Sequence, residues 1–128
     1  MNGINFGGYS FSEPAILPSA STVVDTILGQ PGLYAILVYD PSCTPRPYRV
    51  LYFGESENIQ TRATSNHENY SHWRTQAGPL ARIYRSVHPL SSSTKLQRQQ
   101  VESALIAKYK PKCNERLSFD FARLFSAK

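Results

Sequence analysis

The sequence predicts an α/β (α+β) domain built on a small three-stranded antiparallel sheet flanked by helices. Three observations predict it. Two runs rich in β-branched and aromatic residues, Leu33 to Tyr39 and Tyr48 to Phe53, are joined by a proline-rich loop. An alternating run, Leu80 to Val87, follows Gly78-Pro79. Between and after these runs the apolar period changes to that of a helix, most clearly over Lys95 to Tyr109. A chain of 128 residues holds one domain of ordinary size.

The elements follow in order. The first thirty residues read as an irregular extension packing on the domain, with turn and cap chemistry at Gly7-Gly8, Pro14, Pro18 and Ser19 to Thr22. A short helix is expected after Ser21 or Thr22, through Val23, Val24, Ile27 and Leu28, ending at Gly29. Leu33 to Tyr39 is a buried strand, opened by Pro31-Gly32 and closed by Asp40-Pro41. Pro41 to Pro47 carries three prolines and is a loop. Tyr48 to Phe53 is the second strand, ended by Gly54, and the short loop makes the pair antiparallel. From Glu57 a helix runs to Gln76, with Ser65-Asn66 as the point where it can break, and Gly78-Pro79 stops it. Leu80 to Val87 is a third strand with one polar face. Ser91 to Thr94 can cap the helix Lys95 to Tyr109, which Pro111 ends. Its apolar stripe is Val101, Ala104 and Leu105, extended by Ile106 and Tyr109. A final helical turn or two over Phe119 to Phe125 makes residues 116–128 a C-terminal extension, leaving 31–115 as the domain proper.

Composition excludes several classes. Apolar residues make up 41% and charged residues 18%, which supports a packed core and not a disordered chain. No run approaches the roughly 20 apolar residues that span a bilayer. Met1 to Gln30 lacks the charged start and apolar middle of a secretory signal, and Cys43 and Cys113 are too few for a disulfide framework. The expectation is a cytoplasmic, reducing compartment and no membrane partner. The net charge of +5 is unevenly spread: residues 1–45 carry −3, and residues 80–116 carry +6. A basic block in one half fits a polyanion partner, most simply nucleic acid, or else a solvated helix face.

Familiar catalytic patterns are missing. There is no G-x-S-x-G, no Walker loop and no G-x-G-x-x-G. The spacings of Cys43, Cys113, His67, His72 and His88 match no structural zinc pattern. What remains is a set of polar residues at the ends of the predicted elements: Tyr34 and Tyr52 on the first two strands, Arg62 on the helix that follows, Glu102 on the last helix and Asn114 just past its end.

These residues resemble one family. Gly32-Leu33-Tyr34, eighteen residues before Tyr52-Phe53-Gly54, is similar to the two tripeptides that name the GIY-YIG nucleases. Arg62 stands eight residues after the second glycine, where that family has its helix arginine. Glu102 to Asn114 resembles the family's E-x-x-L-I-x-x-x-x-P-x-x-N ending. The likeness covers 85 of the 128 residues, from about Pro31 to Glu115. Either tripeptide alone is a weak signal; five elements in order, on matching secondary structure, are a specific one.

The resemblance implies a metal-dependent DNA endonuclease that hydrolyses phosphodiester bonds. Glu102 would hold Mg²⁺ (or Mn²⁺), Arg62 would neutralise phosphate charge, and Tyr34 would take a proton from the attacking water, with Tyr52 orienting. A tyrosine's ordinary pKa of about 10 makes it a poor base unless cations surround it; Arg62 and the metal would provide them. His67 resembles a histidine found there in some members and would relay a proton. Gly32, Gly54 and Asn114 would support the site, Asn114 by tying the helix end to the strands. Arg82, Lys95, Arg98 and Lys110 are candidate DNA contacts.

Taken singly, each residue has an ordinary reading. Tyr34 and Tyr52 can be core aromatics, Glu102 a partner of Arg98 one turn back, Arg62 a solvated helix residue, His67 structural and Asn114 a turn residue. The chain also departs from the family: Glu55 and Glu57 stand where many members carry lysine, and an acid there either binds a further cation or repels DNA. No recognition insertion or second module is evident, so specificity is expected from nucleic-acid shape, a partner protein or a homodimer, or else there is none. A non-catalytic nucleic-acid-binding module and a nuclease toxin or effector are the alternative functions.

Overall fold

The computed structural model describes residues 3–19 and 29–114. The helix expected through Val23 to Leu28 and the helical turns expected over Phe119 to Phe125 lie outside the described residues.

The elements are β1 (Ile4–Phe6), β2 (Tyr9–Phe11), β3 (Ala15–Ile16), β4 (Gly32–Tyr39), β5 (Tyr48–Ser56), α1 (Ile59–Arg62), α2 (Tyr70–Ala77), β6 (Ile83–Pro89) and α3 (Lys95–Tyr109). The fold is α+β with antiparallel sheets. The main sheet has four strands in the order β3-β6-β4-β5, not the expected three. The fourth is the short β3, which pairs Ala15 with Arg85 and Ile16 with Tyr84 on the outer edge of β6. β1 and β2 form a hairpin turned by Gly7 and Gly8, whose φ values of 58° and 91° suit a tight two-residue turn. Residues 3–19 are therefore not irregular: Ile4, Phe6 and Phe11 pack against Phe53 and Leu105 in one core cluster.

β4 is the spine. Its neighbours β5 and β6 cover both edges, and both faces are buried, which is why L-Y-A-I-L-V reads as an unbroken apolar run. Leu33, Ala35 and Leu37 face the hairpin and α3. Tyr34, Ile36 and Val38 face the opposite cluster, which holds Ile59, Ala63 and Trp73. On β5 the pairing slips: Ile36 opposes Tyr52 while Leu37 opposes Val50, so Leu51 is left over as a bulge. One extra residue inverts the alternation beyond it. Val50 stays with the α3 side, and Tyr52 and Gly54 turn to the side of Tyr34.

The single helix expected from Glu57 to Gln76 is two helices separated by residues 63–69. Asn58 caps α1, its side chain accepting from the N–H groups of Gln60 and Thr61 at 3.1 and 3.3 Å. The turn that follows is held from three sides. Ala63 N–H bonds back to Ile59, Ser65 N–H reaches the Pro18 carbonyl at 3.0 Å, and Arg85 Nη1 donates to the Ala63 carbonyl at 2.9 Å. The third long strand begins at Ile83, later than expected, and Leu80 is 96% exposed.

α3 has the predicted bounds. Thr94 and Gln97 form a reciprocal capping box, and Lys110 closes the helix in the left-handed conformation. Its inward stripe differs from the expected one. Ala104 is exposed, and the buried positions are Arg98 and Leu105, flanked by half-buried Val101, Glu102, Ile106 and Tyr109. No helix among the described residues is long and apolar enough to cross a membrane.

Candidate active site

Tyr34, on β4, is opposed directly by Gly54 on β5. Its ring lies over that glycine: a β-carbon at position 54 would overlap Tyr34 Cζ and Oη. Gly32 is fixed by a different neighbour, since a β-carbon there would stand 2.5 Å from the His88 carbonyl oxygen on β6. The glycine that opens the first tripeptide and the one that closes the second are thus required by close approach, Gly54 to a side chain and Gly32 to a backbone.

Around the Tyr34 hydroxyl the polar residues gather. His67 Nε2 lies 2.9 Å from Tyr34 Oη, and the Asn69 N–H donates to His67 Nδ1 at 3.0 Å. A neutral imidazole that accepts at Nδ1 carries its proton on Nε2, so His67 is the donor to Tyr34. The His67 side chain is fully buried, its ring 4.5 Å from Trp73 and 5.4 Å from Tyr52. Burial, with Arg62 adding to it and Glu68 opposing, pushes its pKa down to about 4. It is neutral at physiological pH. In this geometry the ring offers Tyr34 a hydrogen bond and holds its orientation.

Tyr52 stands beside Tyr34, ring centroids 6.1 Å apart, with Asn69 Nδ2 3.5 Å from its hydroxyl. Burial raises both phenols above their ordinary value. Tyr52 and Glu102 reinforce this at Tyr34, and Glu102 does so at Tyr52, while Arg62 lowers both only in part. In the chain alone Arg62 offsets only part of this rise at Tyr34, and the sequence expectation joined Arg62 to a bound metal. Arg62 Nη1 and Nη2 each meet a carboxylate oxygen of Glu68 at 2.5 Å.

Glu102 enters from α3. It senses both tyrosines and Glu55, and burial followed by the Glu55 charge raises its pKa to about 7, with the Glu55 backbone N–H working the other way. Arg98, one turn back, does not pair with it. Arg98 Nε binds Glu55 Oε1 at 2.9 Å, and Nη1 donates to the Ser93 carbonyl at 2.9 Å. Arg98 is 2% exposed. It is thus a buried structural cation and no DNA contact, and Glu55 Oε1 is engaged by it. Glu57 is exposed.

The other basic candidates, Arg82, Lys95 and Lys110, are exposed. Lys95 begins α3 and Lys110 ends it, roughly 22 Å apart at 1.5 Å per residue, with Glu102 between them. Asn114 is buried and clasps the backbone of Phe53: Oδ1 accepts its N–H at 2.8 Å, and Nδ2 donates to its carbonyl at 3.0 Å. This fixes the strand between Tyr52 and Gly54. Glu68, Asn69 and Trp73 were missed in the sequence; one clue was that Trp73 is the sole tryptophan of the chain.

A cation is compatible with this donor set. Glu102 is a half-buried carboxylate beside a second acid, and it forms no ion pair among the described residues. No three of His, Cys, Asp and Glu converge there among the described residues. A cation would therefore rest on one carboxylate and leave positions for water and phosphate oxygens, as Mg²⁺ prefers. No family model, curated protein or solved structure matches the chain.

Proposed function

We propose that the protein is a divalent-metal-dependent DNA endonuclease of the GIY-YIG type, hydrolysing phosphodiester bonds. The observation that carries this reading is the convergence of Tyr34, Tyr52, Arg62, His67 and Glu102, drawn from two strands, a helix, a turn and a distant helix, on one polar cluster. Structural needs alone do not explain it. A core aromatic does not require a glycine beneath its hydroxyl, and a core does not gain from a carboxylate held next to another acid.

In this reading each side chain has a role in charge or proton placement. Arg62 offers a planar pair of donors to two phosphate oxygens. Tyr34 Oη is approached by His67 Nε2–H and by Arg62, so negative charge forming on that oxygen has two donors waiting. Tyr34 is the acceptor for the proton of the attacking water, and Tyr52, steadied by Asn69, orients that water. Glu102 would hold Mg²⁺ or Mn²⁺, which when bound supplies charge stabilisation of the scissile phosphate and leaving oxygen.

The test is cleavage of supercoiled plasmid with Mg²⁺ or Mn²⁺ by the parent chain and by Glu102→Ala. Cleavage by the parent and none by the variant is expected. Equal rates would end the assignment of Glu102. One observation favours a second reading, a nucleic-acid-binding module without catalysis: burial holds Tyr34 protonated in the chain alone. DNA binding with no cleavage by any divalent metal would select it.

A further inference from the structure

The donor pair that would meet a phosphate is already filled. Arg62 presents Nη1 and Nη2 to Glu68 Oε1 and Oε2 in parallel, each at 2.5 Å. A guanidinium meets two phosphate oxygens in the same forked way. The same two N–H groups cannot serve both anions.

The pair is nevertheless easy to open. The Glu68 side chain is 62% exposed and that of Arg62 37%. Exposed ion pairs typically contribute about 0–1 kcal/mol, and the bidentate fork places this one towards the upper end of that range. The backbone around Glu68 is fixed, because His67 before it is buried against Trp73 and Asn69 after it bonds to the His67 ring. The carboxylate can therefore swing out to solvent while the loop that aims it stays in place. Arg62 holds the Glu68 carboxyl at a pKa of about 2, so protonation does not release it at working pH.

We propose that Glu68 is an internal stand-in for the substrate phosphate: it occupies Arg62 until a phosphodiester displaces it, and so sets the threshold for DNA engagement. The proposal rests on the reading of Arg62 as the phosphate-binding residue. It makes Glu68 a specificity-determining residue. A strand with neighbouring phosphates gains enough from surrounding cations to compete with the carboxylate, and a single small anion does not.

Fluorescence anisotropy with a short labelled DNA duplex, without divalent metal and at low salt, tests it independently of cleavage. Glu68→Gln should bind about three- to tenfold more tightly than the parent, and Arg62→Ala more weakly. In the Arg62→Ala background, Glu68→Gln should add nothing, because its gain acts only through Arg62. A gain that persists there is a general charge effect and overturns the proposal. Unchanged or weaker binding by Glu68→Gln, with Arg62→Ala still weakened, also overturns it and leaves the nuclease reading intact. Unchanged binding by Arg62→Ala removes the phosphate role of Arg62, and both readings of that residue fall together. Circular dichroism of each variant confirms that the exposed substitutions leave the fold in place.

Discussion

Tyr34 rests the tip of its ring on Gly54, its partner across the strand pair, and leaves no room there for a β-carbon. Gly54→Ala should therefore push the Tyr34 hydroxyl away from His67. Forcing one extra carbon into a packed contact costs about 1–3 kcal/mol. Thermal unfolding should show that loss, and plasmid cleavage should fall by more than the loss of folded protein explains. A fully stable and active alanine variant would mean that the close approach does not position the tyrosine.

Asn114 is the second constraint on the same strand. It satisfies both the N–H and the carbonyl of Phe53, a residue with no exposed surface. Asn114→Ala leaves two buried backbone groups unpaired, at a cost of roughly 2–4 kcal/mol. Asn114→Asp should not rescue it, since one carboxylate oxygen would then face the Phe53 carbonyl. Urea unfolding should give a lower midpoint with unchanged slope for both. If aspartate matches asparagine, the donated bond from Nδ2 is not contributing.

His67 makes stability depend on pH. Its pKa is pushed down to about 4 in the folded chain, from an ordinary value of 6.5. Between those values the unfolded chain binds more protons, so the contribution is complete above about pH 6.5 and is lost as pH falls towards 4. His67→Gln removes that titration. Relative to the variant, the parent should lose on the order of 1–3 kcal/mol between pH 7 and pH 4. Parallel unfolding curves for the two chains across that range would show that His67 is not held neutral by its surroundings.

The elements legible in the sequence were those long enough to display a period. β4 and the start of β5 stood out as apolar runs, and α3 as a stripe with a cap and a proline stop. β1, β2 and β3 are three, three and two residues long, too short for alternation to register. The bulge at Leu51 was also hidden, because apolar residues stand on both sides of it and no glycine marks it. At the site, strand ends and helix positions were legible as residue types at fixed spacings. Pairings were not. Arg98 reads as a surface cation until Glu55, 43 residues earlier, is brought beside it, and Arg62 reads as open until Glu68 closes on it. Burial of a charge is a tertiary fact, decided by a partner that the local pattern does not name.

Glu102 links function to stability most directly. Its pKa is raised to about 7 on folding, from an ordinary value of 4.5, by burial first and by Glu55 second. A carboxyl raised on folding binds its proton more tightly folded than unfolded. Its contribution is therefore best below about pH 4.5 and is lost as pH rises through 7. At pH 8 the ionised side chain works against the fold. Glu102→Gln keeps the shape and removes the charge, so it should be more stable than the parent at pH 8 by about 1–2 kcal/mol, allowing for solvent screening of a partly exposed group. At pH 5 the two should nearly coincide. Mg²⁺ or Mn²⁺ at pH 8 should raise the melting temperature of the parent and not that of the variant, because a ligand stabilises only the form that binds it. Plasmid cleavage by the variant should fall by at least about a hundredfold, as when a preorganised charge is removed from a reacting centre. A glutamine variant that is no more stable at pH 8, and that still responds to the metal, would show that the charge at position 102 is neither strained nor a ligand.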